Sequence, residues 1–148
     1  MNRRIVLGCA HTVTHLRRAV RDSSPMSAHD IGKKLVAFCR DRNNLDSINT
    51  LYADNVVSVE SVAPAGGQRV AEGIEAVRGK NQWWETNHEI HSSEVSDPYP
   101  HGDDKFAVRF TYDVTNKPSG QRIKMDEIGV FTVHGDKVVR EEFFYTMG

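Results

Sequence analysis

One glutamate stands where a carboxylate could move a proton. The stretch LYADNVVSVES, residues 51–61, sets Glu60 among valines. A carboxylate that a β-strand turns toward an apolar interior ionises less readily and becomes an acid–base group near neutrality. Alternation places Val57 and Val59 on one strand face and Val56, Ser58 and Glu60 on the other, without saying which face is inner. Glu127 and Glu141 lie in later β-rich runs, each beside a second acid, Asp126 and Glu142. One member of each pair must face outward, and a register slip of one residue would exchange them.

Other chemistries find less support. His88 and His91 in NHEIH have a spacing that could bind zinc on a helix, but HEIHSSEVS reads as strand, which sends the two imidazoles to opposite faces. This argues against a bound metal. APAGGQ is glycine-rich without the lysine of a phosphate loop, so it reads as a connection. No nucleophile stands beside a base and no cofactor fingerprint is present, so no cofactor is expected, and the residues leave open both acid–base chemistry by side chains and a non-catalytic binding module.

The elements that must position these residues are read from periodicity. A chain of 148 residues, 39% apolar, is sized for one domain and one core. A net charge of -1 excludes nothing by itself but gives no reason to expect nucleic acid or a membrane as partner. Arg3, Arg4, Arg17, Arg18 and Arg21 against Asp22 alone give residues 1–26 a charge of +4, which leaves -5 on residues 27–148. NRRIVLGCA imitates an export signal, but only Ile5, Val6 and Leu7 precede Cys9, too short an apolar core. Residues 1–26 are expected to be peripheral, either a basic extension or sequence upstream of a start at Met26, and residues 27–148 to form the domain. The second cysteine, Cys39, falls in an apolar helical stripe as a small hydrophobe, which fits a reducing, cytoplasmic setting.

In SAHD, Ser27 is an N-cap with Asp30 three residues on, and Ile31, Leu35, Phe38 and Cys39 follow at helical spacing. LDSINTLYADN predicts a second, shorter helix ending at Asn55, and residues 56–62 a strand. Ile74, Val77 and Trp84 mark a third helix, whose stripe selects Trp84 rather than Trp83 for the inner side. Phe106, Val108, Phe110, Tyr112 and Val114 alternate with Ala107, Arg109, Thr111 and Asp113, a clear strand signal. PYPHGDD and TNKPSGQ are turns on either side, and VHGDKV is a tight hairpin at Gly135-Asp136. A four-stranded antiparallel meander results. The order helix, helix, strand, helix, meander is α+β, with a curved sheet folded over the helices.

This element order, with LYADNVV, GIEAVRG and VFTVHGDKVVREEFF, resembles the nuclear transport factor 2-like superfamily over residues 27–147, and within it the SnoaL-like polyketide cyclases and ketosteroid isomerases. The resemblance implies a cystatin-like cone, a mixed, largely antiparallel sheet wrapped around three helices. Set against the steroid isomerases, the general-base aspartate falls on Glu60, the tyrosine donor on Val36, and the protonated aspartate of the oxyanion hole on Gly129. A carboxylate is kept and both donors are gone, at about 3 kcal/mol or more of transition-state stabilisation each, which argues against steroid isomerisation.

The same resemblance implies a pocket containing Glu60, Glu127 and Glu141 as catalytic residues, lined by Val108, Phe110, Tyr112, Phe131, Phe143 and Tyr145, to which the stripe of the third helix adds Trp84 and the position beside that helix adds His88. Desolvation and mutual repulsion there would raise at least one pKa, with Glu60 expected to carry it. The implied function is isomerase-, cyclase- or dehydratase-type chemistry on a small apolar molecule. The alternative is a non-catalytic ligand-binding or dimerisation module. A homodimer through the outer sheet face, around Ala107, Arg109, Thr111 and Asp113, is the expected assembly.

Overall fold

The computed structural model describes residues 24–146. The basic stretch and Cys9 lie outside the described residues. Helix α1 (Ala28–Arg40) starts where its cap requires, because the Ser27 hydroxyl accepts the Asp30 amide at 3.1 Å. It buries Ile31, Leu35 and Val36, with Phe38 and Cys39 half-buried at the edge of the stripe. Gly32 lets the helix approach the sheet closely, since a β-carbon there would sit 2.9 Å from Pro98 and 3.0 Å from Phe106. Met26 also packs against this core.

Helix α2 (Asn44–Leu51) is shorter than its sequence pattern, for β1 (Tyr52–Val59) begins where the helix was expected to continue. Pairing with neighbouring strands outweighs the local helical spacing of Tyr52. Two three-residue strands also depart from expectation. β2 (Val70–Glu72) precedes α3 (Ile74–Asn87), and β4 (Tyr99–His101) occupies part of PYPHGDD, which reads as a turn. The meander is as expected: β3 (His88–Val95), β5 (Lys105–Asn116), β6 (Arg122–His134) and β7 (Lys137–Phe144). Gly135 (φ 55°) and Asp136 (φ 66°) both take left-handed backbone in the β6–β7 turn, as a tight hairpin demands.

The open, curved sheet has the order β2-β1-β7-β6-β5-β3, with β4 added to β5. All pairings are antiparallel except β1 with β7, which run parallel. Phe106, Val108, Phe110, Phe131 and Val138 on the inner face meet Ile31, Leu35, Val36, Leu51 and Val77 from the helices in one core. The outer face is polar around the Arg109–Asp126 and Arg122–Asp113 ion pairs, yet it also exposes Ile128 and Phe144. No helix among the described residues is long and apolar enough to cross a membrane.

Candidate functional site

Strand register decides the ambiguous carboxylates. Phe110 pairs with Glu127 and Phe131 with Glu141, which puts both glutamates on the face of the core phenylalanines. Their neighbours turn outward: Asp126 takes a bidentate Arg109 at 2.9 and 2.7 Å, and Glu142 meets Arg140 at 3.4 Å. On β1, Val56 and Ser58 are fully buried, and Glu60 continues their face. The inner face of β1 is therefore the one that carries Glu60.

A continuous polar chain crosses the parallel β1–β7 seam. Glu141 is only 4% exposed, and both its oxygens are used: Tyr52 donates its hydroxyl to Oε2, and Ser58 donates to Oε1 at 2.7 Å. Lys80, from α3, donates to Ser58 Oγ and to Glu60 Oε1, the latter at 2.6 Å, and lies 3.8 Å from Glu141 Oε1. Its ammonium rests 4.9 Å from the centre of the Phe143 ring, a cation–π contact. Tyr145 closes the chain, its hydroxyl donating to Glu60 Oε2 at 2.9 Å.

Glu127 is different. It stands half-buried beside this chain, and among the described residues no side chain or amide hydrogen-bonds its carboxylate. Burial, then the negative charges of Glu60 and Glu141, push its pKa up to about 7 against a partial offset from Lys80. The fold gives Glu60 an ammonium and a phenol as partners and leaves Glu127 without either. Burial also raises the Tyr112 and Tyr52 phenols, pushes Tyr145 up to about 12, and pushes the Cys39 thiol up to about 12, which fits that cysteine's role as a core hydrophobe.

Of the expected lining residues, Phe110 and Phe143 lie ring to ring at 6.5 Å, and Phe110 and Tyr112 stack at 6.4 Å. Trp84 stacks on His88 at 4.7 Å and tilts against Tyr112 at 5.3 Å. Val108 and Phe131 are sealed in the core, Phe131 stacked on Phe106 at 4.9 Å. His88 Nδ1 is 2.9 Å from the Trp84 carbonyl, whereas His91 is exposed on Thr115. Trp83 is exposed. Among the described residues no three metal-ligating side chains gather as a metal site. An open groove of about 570 Å³, lined by Arg109, Asp126, Ile128 and Phe144 of the outer sheet face together with Ser61 and Tyr145, holds none of the three glutamates.

Tyr52, Ser58 and Lys80 were not anticipated. Lys80 carried a signal: it follows Val77 by three and precedes Trp84 by four, so a charge occupies the apolar stripe of α3.

The family model of the SnoaL-like domain matches residues 26–145. The chain belongs to the SnoaL-like family. This SnoaL-like domain is 38% identical to a protein from Mesorhizobium loti provisionally called a SnoaL-like polyketide cyclase, with a TM-score of 0.76 over 81% of this chain and 100% of that one. A provisionally named isomerase from Bacillus subtilis (18% identity, TM-score 0.65, 80% and 86% coverage) shares the fold. So does a protein of ketosteroid isomerase-like fold from Catenulispora acidiphila (18% identity, TM-score 0.61, 80% and 86% coverage). No curated protein matches the chain. Val36 is sealed in the core, and Gly129 lies against Phe131 and Phe110.

Proposed function

We propose that this SnoaL-like domain is an enzyme that moves a proton on a small, largely apolar carbonyl compound, in an isomerase-, cyclase- or dehydratase-type reaction run by side chains. The observation that carries the reading is Glu127: a carboxyl with a pKa of about 7, free of partners among the described residues, beside Phe110 and Tyr112. A general base works best when its pKa lies near the operating pH. Ionised Glu127 takes a proton from the carbon next to the carbonyl, and the electron pair of that C–H bond moves toward the carbonyl oxygen. The protonated carboxyl then returns its proton to a second carbon, which shifts a double bond, or to an alkoxide formed when the carbanion closes a ring. Glu60 and Glu141, with every oxygen already accepting a hydrogen bond, hold the surroundings in place.

The reading is tested with cyclic ketones and β-dicarbonyl compounds in deuterated water, following exchange at the activated carbon by proton NMR. The wild-type domain is expected to accelerate exchange, more strongly as pH rises through about 7, where Glu127 ionises. Glu127→Gln should lose about 10²- to 10⁴-fold of that acceleration. Equal exchange by the two proteins would overturn the assignment.

A further inference from the structure

One ammonium serves three carboxylates, and it is shared unevenly. Lys80 contacts Glu60 directly at 2.6 Å, reaches Glu141 through Ser58 and at 3.8 Å, and makes no ion pair with Glu127. The direction of each hydrogen bond follows. An ammonium only donates, so Ser58 Oγ must accept from Lys80, and its own hydrogen is then committed to Glu141 Oε1. Tyr52 donates to the other Glu141 oxygen, and Tyr145 to the Glu60 oxygen that Lys80 leaves. Four carboxylate oxygens are thereby fixed as acceptors. Room for a proton remains at Glu127.

We propose that Lys80 is a positioning residue that assigns the cluster's mobile proton to Glu127, by orienting the chain Tyr52–Glu141–Ser58–Lys80–Glu60–Tyr145 so that Glu60 and Glu141 accept throughout. The proposal rests on the reading of Glu127 as proton carrier and names the residue that makes it so. The groups facing Glu127 are Glu60 just beyond β1, Lys80 from α3, Glu141 from β7, Tyr145 just beyond that strand and Tyr112 from β5. Both phenols are pushed upward and stay neutral near pH 7, so the charges that matter are two carboxylates and one ammonium. Without Lys80, Ser58 is free to turn its hydrogen, and Glu60 and Glu141 become neighbouring carboxylates with no cation between them, the arrangement in which acids share a proton.

The test is carbon-13 NMR of side-chain carboxyls in glutamate-labelled protein across pH 5 to 9. In the wild type a single carboxyl, Glu127, should titrate near 7. In Lys80→Met, Glu60 or Glu141 should titrate together with Glu127 in overlapping steps, and Lys80→Arg should restore the single step. A purely structural role would lower the melting temperature of Lys80→Met without adding a titrating carboxyl, and an unchanged Glu127 curve in the folded variant would overturn the proposal. Should Lys80→Met not fold, Ser58→Ala removes the hydrogen-bonded bridge and the donor to Glu141 Oε1 and leaves the 3.8 Å Lys80–Glu141 ion pair in place. Glu141 should then join the titration, and its failure to do so would count against the proposal. The absence of any wild-type titration near 7 at Glu127 would remove the functional reading itself, an outcome separate from every Lys80 result.

Discussion

Replacing Glu127 with glutamine is expected to stabilise the domain, and only above about pH 4.5, where the unfolded chain begins to release the proton that folded Glu127 still holds. The folded protein holds the Glu127 proton with a pKa of about 7, against the ordinary 4.5 of a glutamate. Below pH 4.5 both folded and unfolded forms are protonated and the group is neutral in the balance. As pH rises from 4.5 the unfolded chain releases the proton first, so stability falls until the folded carboxyl also ionises near 7, and it is level beyond. The interval from 4.5 to about 7, at about 1.4 kcal/mol per tenfold change in proton affinity, amounts to about 3 kcal/mol. Glutamine has the shape of the protonated acid and does not titrate. Urea denaturation of both proteins from pH 4 to 9 should therefore give curves that coincide at pH 4 and separate to about 3 kcal/mol in favour of the variant at pH 8. Parallel profiles would refute the reasoning, because they would mean that Glu127 titrates alike in the folded and unfolded states. Gain of stability with loss of turnover is the pattern of a functional group held at a cost to the fold.

Gly129→Ala should destabilise the domain by about 1–3 kcal/mol, since the added carbon would meet Phe131 Cε2 at 2.8 Å and Phe110 Cε2 at 3.2 Å. Equilibrium unfolding in urea measures this, and an unchanged midpoint would show that the two rings can give way. Tyr52→Phe removes the donor to a buried Glu141 oxygen and should cost about 1–3 kcal/mol at pH 7. A loss below about 0.5 kcal/mol, the range of ordinary surface changes, would mean that water replaces the phenol.

Much of the fold was legible because its signals are local. The Ser27 cap, the period-two pattern of β5 and the Gly135-Asp136 turn each depend on residues a few positions apart. β2 and β4 were not legible, for three residues are too few to show a period and each exists only by pairing with β1 or β5. The end of α2 was misjudged because Tyr52 fits the helical stripe and is claimed by the sheet. At the site, Glu60 could be named from its position among valines and Glu127 and Glu141 from the family resemblance, but which oxygen meets which donor could not. Lys80, Ser58 and Tyr52 acquire their roles from an interstrand register that no window of sequence contains.

The parallel pairing of β1 with β7 has a further consequence for when the site comes into being. The hydrogen bonds of Glu141 to Ser58 and Tyr52 join positions 83 and 89 residues apart in the chain. The meander β3–β5–β6–β7 can zip from one turn to the next, each step closing a short loop, whereas β1 finds its partner only after the last strand exists. A folded chain that has opened along this seam alone keeps most of its sheet, with Glu127 and Glu141 still on β6 and β7, yet loses Tyr52, Ser58 and Glu60 from beside them. The hydrogen-bonded chain around Glu141 is thus tied to the strand pairing of highest sequence separation, and it is complete only when the whole sheet has assembled.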